Sequence, residues 1–125
     1  MYRELEIKTA DGTMVSMPFK ANGATPIRLK QVFQKDFWKI MADAQDSESM
    51  IFENMDIISE LAYVMHCQGA GKDMGKINFD TYVEWLEGLD GMAILDKASE
   101  IINLYVDTSR TGSTAKKPTA QLPGA

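Results

Sequence analysis

Apolar residues recur along this chain with two different periods, and the change of period divides it. Leu5 and Ile7, then Val15, Met17 and Phe19, alternate with polar neighbours, the pattern of strands with one buried face. Ala10-Asp11-Gly12 lies between the two runs, and Asp-Gly is a hairpin signal because both residues tolerate positive φ. Pro18, near the end of the second run, suits an edge strand. These residues predict a β-hairpin over 3–20. Beyond Asn22-Gly23 the period lengthens. Thr25-Pro26 reads as an N-cap with proline at the first helical position, and Leu29, Val32, Phe33, Phe37, Ile40 and Met41 form one stripe of a helix over about 26–45. Trp38 falls on its opposite side.

After the break at Asp46-Ser47, a second helix is expected over 49–68, with Met50, Ile51, Met55, Ile57, Ile58, Leu61, Ala62, Val64 and Met65 covering about half its circumference. So wide an apolar face marks the centre of a core. Glu53, Asp56 and Glu60 gather on the other side, expected to be wet, beside Phe52 and Tyr63. Gly69 ends this helix. A third helix, about 79–89, carries Phe79, Tyr82, Trp85, Leu86 and Leu89 on one face, with Asn78 or Asp80 at its start. A last one, about 92–106, buries Ile94, Leu95, Ala98, Ile101, Ile102, Tyr105 and Val106. The fold class is α+β, mostly α: an N-terminal β-hairpin followed by about four helices and a disordered C-terminal tail.

The tail is a matter of composition. Residues 107–125, DTSRTGSTAKKPTAQLPGA, contain one large aliphatic side chain, Leu122, too little apolar surface to offset the entropy of ordering. A single globular domain is therefore expected over 1–107 and a disordered tail or linker over 108–125. The tail holds a net charge of +2, which leaves −7 on residues 1–106 of a chain whose total is −5. An acidic domain argues against nucleic acid as a partner. No apolar run approaches the roughly 20 residues that span a bilayer, and no secretory leader is evident at the N-terminus. Cys67 is the single cysteine, so no internal disulfide forms and a reducing compartment is the natural home.

The loop in QGAGKDMGKINFDTYVEW (68–85) resembles two ligand motifs and satisfies neither. A phosphate-binding loop needs G-x-x-x-x-G-K-[ST] after a strand. Aligned on Gly75-Lys76, this loop has Ala70 at the first glycine, Ile77 at the hydroxyl, and a helix before it. An EF-hand aligned on Gly75 puts Ala70, Lys72 and Met74 at the first three ligand positions and Thr81 at the twelfth, where calcium needs oxygen donors and a bidentate glutamate. The loop is expected to cap one helix and start the next. His66 and Cys67 are adjacent and point to different helix faces, which excludes a metal pair. No nucleophile, base and orienting acid can be assembled. No catalytic, cofactor or metal residue is assigned, and the chain is not expected to be an enzyme.

What remains is surface chemistry. Nine methionines are present, and a methionine-rich helix face is either adaptable core or a surface that accepts varied partners. Trp38, Phe52, Met55 and Tyr63 are the candidate partner-binding residues, three of them aromatics lying off the main stripes.

ISELAYVMHCQ (58–68), the glycine-containing loop, FDTYVEWLEGLD (79–90) and ASEIINLYVDT (98–108) together resemble the small tail assembly chaperones of long-tailed (siphophage-type) bacteriophages, over roughly residues 25–117. The resemblance implies a non-enzymatic protein of the host bacterial cytoplasm, absent from the mature virion. Such a protein binds the tape measure protein, keeps its apolar helices soluble and helps recruit tail tube protein; separately, the wide apolar face of residues 50–65, if exposed, is expected to favour self-association at high concentration. The resemblance also implies a longer product made by programmed frameshift near the end of the short form, where Lys116-Lys117 lies. A small virion connector and a cytosolic adaptor unrelated to phage are the alternative readings.

Overall fold

The hairpin forms with the register its alternation requires. In the computed structural model, which describes residues 1–35 and 54–114 and side chains as far as Val106, β1 (Tyr2–Lys8) pairs antiparallel with β2 (Met14–Lys20), Leu5 opposite Met17 and Ile7 opposite Val15. The turn is longer than a two-residue hairpin loop. Thr9 N–H donates to Thr13 O at 2.8 Å, and Asp11 accepts from Thr13 N–H and the Thr9 hydroxyl. Only Gly12 takes positive φ, at 89°; Asp11 contributes as an acceptor. Leu5, Ile7 and Phe19 are buried, but Val15 is 40% exposed, because it borders the turn beside Thr9, Asp11 and Gly88 and no helix face covers it. The turn in turn pairs with a distant loop: Ala10 N–H donates to Gly88 O and Asp90 N–H to Lys8 O, each at 3.0 Å.

Helix α1 (Thr25–Phe33) is shorter than expected. Gln34 adopts φ 61° and ψ 33°, and its N–H donates to Lys30 O, an αL stop that a non-glycine residue adopts at a cost of ~1–2 kcal/mol. The uninterrupted helix to residue 45 is thereby corrected, and residues 36–53, with Phe37, Trp38, Ile40, Met41, Met50, Ile51 and Phe52, lie outside the described part. The expected N-cap also moves. Ala24 occupies that position without a side-chain bond; Thr25 is wholly buried and its hydroxyl accepts from Asn22 N–H and from Gln68 Nε2. Gln68 Nε2 donates to Lys20 O as well, at 2.7 Å, so one amide ties three elements together.

Helix α2 (Met55–Gly69) starts after Asn54, whose backbone is not helical, so the expected start at 49 is corrected. From Ile57 to Cys67 nearly every residue is buried. The hairpin, α1, α3 and α4 all pack against α2, and α1 and the α3 cap bring Lys35 and Thr81 to Glu60 and Tyr63 on the side expected to be wet. Gly69 packs against β2: a β-carbon there would lie 3.0 Å from backbone atoms of Pro18 and Phe19. The left-handed residue that turns the chain away is Gly71, at φ 69°.

Asp73 accepts from Gly75 N–H and opens a 3-10 turn, Met74–Lys76. Helix α3 (Phe79–Glu87) then begins with a reciprocal cap, in which Asn78 Oδ1 accepts from Thr81 N–H and Thr81 Oγ1 accepts from Asn78 N–H. Replacing Asn78 with Ala is expected to lower stability by about 1 kcal/mol, read as a lower urea midpoint. Tyr82 alone of α3 is buried, and Phe79 is 58% exposed, so the shared face expected for this helix is only half used. Leu89 lies past the helix end, bridged to Thr9.

Helix α4 (Ala93–Thr114) buries Ala93, Ile94, Ala98, Ile101, Ile102, Leu104 and Tyr105. It continues past Asp107, where composition placed the end of ordered structure. Extending a helix already anchored by packing requires no new nucleus, and nothing before Pro118 forbids it. The described helix ends at Thr114, and residues 115–125, with Lys116-Lys117, lie outside the described part.

Candidate functional site

Two concavities lie on opposite sides of α3. The first, about 380 Å³, is lined by Tyr63, Lys72, Asp73, Lys76, Thr81 and Trp85, among others. Several of its polar groups are engaged locally: Tyr63 Oη donates to Thr81 Oγ1 at 2.8 Å, Asp73 caps the 3-10 turn, and Lys76 lies 4.0 Å from Asp73. The loop that resembles two ligand motifs is therefore occupied in terminating α2 and starting α3. Among the described residues no group of three or more His, Cys, Asp and Glu side chains could hold a metal ion.

The second is an apolar groove of about 390 Å³. Met55 from the start of α2, Leu86 from α3, Leu89 and Met92 from the connection, and Ile94 and Leu95 from α4 form its walls, with Asp56, Ser59 and Asp90 at its polar margin. Met92 is 52% exposed. The connection between α3 and α4 supplies the floor of the groove. Asp90 accepts from Met92 N–H and Asp90 O accepts from Ala93 N–H, which aims the first turn of α4 beside the first turn of α2. Each aspartate sits at a helix N-terminus, where the partial positive charge of unpaired N–H groups balances it.

Behind the margin one lysine faces an exposed and a buried acid. Lys35, just beyond the αL stop of α1, places its ammonium 3.2 Å from Asp56 Oδ2 and 3.9 Å from Glu60 Oε1. Glu60 is 6% exposed and its Oε1 has no hydrogen-bond donor among the described residues. Burial pushes its carboxyl up to about 7; Lys35 opposes the shift and Asp56 adds to it. At Asp56 burial is the largest single influence and acts upward, but the Lys35 hydrogen bond and charge and the N–H groups of Ile57 and Asp56 together outweigh it, and the carboxyl lies below its usual value. Tyr82, buried and facing Glu60, is pushed up to about 12. Glu60 was expected on a solvated face, and the cover supplied by α1 and α3 corrects that.

His66 and Cys67 do point to different faces of α2. His66 Nδ1 lies 3.0 Å from Pro18 O, and its ring stacks on Trp85 with centroids 5.3 Å apart and planes at 17°. Pro18 O only accepts, so Nδ1 carries the proton. Burial lowers the His66 pKa and raises that of the Cys67 thiol. Both are core residues.

Of the candidate partner-binding residues, Met55 lines the groove. Tyr63 is corrected to a core residue: it is 2% exposed, with its ring against Phe33, Tyr82 and Trp85. Trp38 and Phe52 lie outside the described residues. Met92, Leu86 and Leu89 were missed as groove residues. Met92 beside Gly91, next to a helix start, is the signal that a large apolar side chain sits at a chain reversal. Among the described residues no helix is long and apolar enough to cross a membrane. No protein family, curated protein or solved structure matches this chain.

Proposed function

We propose that this domain is a phage tail assembly chaperone that binds apolar helices of the tape measure protein and helps recruit tail tube protein, acting in the host bacterial cytoplasm and leaving before the virion matures. The observation that carries this reading is the apolar groove, walled by Leu86, Leu89, Ile94 and Leu95 and flanked by Met55 and Met92. An amphipathic helix laid in such a groove buries side chains at i, i+3, i+4 and i+7, and unbranched methionines at its edges adapt to partners of differing sequence. The resemblance of residues 58–68, 79–90 and 98–108 to tail assembly chaperones supplies the identity of the client. Binding of this kind needs no catalytic group.

The test is coexpression with a tape measure protein from the same genome. Wild-type protein is expected to bring the tape measure into the soluble fraction. Met92→Lys is expected to reduce that fraction severalfold while leaving the unfolding free energy from urea titration within ~0.5 kcal/mol of wild type, since the side chain is 52% exposed. Recovery of this protein in purified virions in tail-protein amounts would instead make it a structural connector. Expression from the native gene with its downstream DNA should yield two products that share this domain, the longer one lost when the Lys116-Lys117 codons are silently recoded.

A further inference from the structure

We infer that Lys35 is a cation shared between Asp56 and Glu60, so that ionisation of Glu60 draws Lys35 towards itself and leaves the exposed Asp56 carboxylate, on the margin of the apolar groove, without its counter-charge. This extends the docking reading of that groove and rests on it.

The geometry is that of one cation serving two acids. Asp56 and Glu60 are four residues apart, on successive turns of one face of α2. Lys35 reaches them from the end of α1, at 3.2 Å from the first and 3.9 Å from the second. These distances suit a neutral Glu60, which leaves the ammonium to Asp56. Once ionised, the Glu60 carboxylate is a buried anion whose Oε1 has no donor among the described residues, a state that costs several kcal/mol unless a partner moves in. Lys35 is the cation at hand, and a shift of about 1 Å brings its Nζ to hydrogen-bond distance.

The other groups facing Glu60 do not compete. Asp56, from α2 itself, repels the Glu60 anion and favours the same transfer. Tyr82, from α3, is hydrogen-bonded to Ser59 and stays protonated through this range. No titratable group of the hairpin or of α4 acts on Glu60 among the described residues. Asp56 lines the groove and Glu60 does not, so the transfer moves net negative charge from the interior to the docking surface. The partner favoured by the ionised state is an amphipathic helix with lysines or arginines flanking its apolar stripe; the neutral state is indifferent to such charges.

Carboxyl carbon NMR titrations of the full chain, in wild type, Glu60→Gln and Lys35→Met, test the sharing directly. The expected result is a near-neutral inflection of Glu60 accompanied by a second inflection of Asp56 at the same pH. The Asp56 inflection should vanish in Glu60→Gln, and the Glu60 midpoint should rise in Lys35→Met. An Asp56 signal that ignores Glu60, or a Glu60 midpoint in the ordinary carboxylate range, overturns the inference. Anisotropy with two synthetic helices, leucine-striped and flanked by either lysine or glutamate, tests the consequence. The preference for the lysine helix should grow about two- to fivefold between pH 6 and 8 in wild type and stay constant in Glu60→Gln. Coupled NMR inflections with neither helix binding at any pH would overturn the groove reading and leave the shared cation standing. Binding of both helices with a pH-independent preference would overturn the regulatory step alone.

Discussion

Gly69→Ala is expected to destabilise the domain by about 1–3 kcal/mol, the range for forcing an extra methyl into a filled space. On an isolated helix the same change would be favourable by up to ~1 kcal/mol. The sign is reversed here by what lies opposite. A β-carbon at Gly69 would meet Pro18 C and Phe19 N at 3.0 Å and Phe19 C at 3.2 Å. All three are backbone atoms of β2, which cannot rotate away as a side chain does. Relief requires α2 and β2 to separate, and that strains contacts on both sides, Pro18 O to His66 Nδ1 and Lys20 O from Gln68 Nε2. Gly91→Ala is the control: nothing lies within 4 Å of a β-carbon there and no positive φ is required, so its urea midpoint should equal that of wild type or exceed it slightly. A Gly69→Ala midpoint at or above wild type would mean that the helix and strand are farther apart than described.

Glu60→Gln is expected to stabilise the protein at pH 8 and to do nothing at pH 4. The Glu60 carboxyl is raised from 4.5 to about 7 in the folded state. Between these values the folded chain binds a proton that the unfolded chain has released. The associated stability is fully present below 4.5, declines as pH rises towards 7, and is absent above it. At ~1.4 kcal/mol per tenfold change in the proton equilibrium the ceiling is about 3 kcal/mol. Relaxation of Lys35 towards the anion reduces this, and about 1–2 kcal/mol is the expected gain for the neutral isostere at pH 8. His66 acts in the opposite direction. Its lowered pKa gives stability that is present above 6.5 and lost as pH falls through the folded value. The wild-type pH profile therefore blends two opposing slopes, and the decisive quantity is the difference between the urea midpoints of Glu60→Gln and wild type at each pH. A difference that does not change between pH 5 and 8 would show that Glu60 titrates alike in both states.

The two largest effects arise at positions where local pattern misleads. Glu60 and Tyr63 fall outside the apolar stripe of α2 and look solvated on a helical wheel. A wheel reports which face of an element is most apolar; it carries no information on how many neighbours the element will have. Here α1 and α3 close over the remaining face, and the chain meets that with an ion pair, a tyrosine hydrogen bond and an edge-to-face aromatic cluster rather than with aliphatic side chains. Gly69 reads as a helix terminator from sequence, yet its function is the close approach of a strand remote in the chain. The αL stop at Gln34 has no local signal at all, because glutamine seldom takes that conformation without tertiary support.

The sequence by itself determined the hairpin, the apolar stripes of α2 and α4, and the break that starts α3. Each is a local matter: alternation at period two, repetition near 3.6, and the hydrogen-bonding reach of an Asn side chain to the third residue onward. Only the tertiary structure decided where α1 stops, that α4 runs to Thr114, which acids are buried, and that Met55, Leu86, Leu89, Met92, Ile94 and Leu95 converge on one groove. Those outcomes depend on contacts between residues far apart in the chain, whose energies are set by distance and burial and leave no periodic trace in the order of the amino acids.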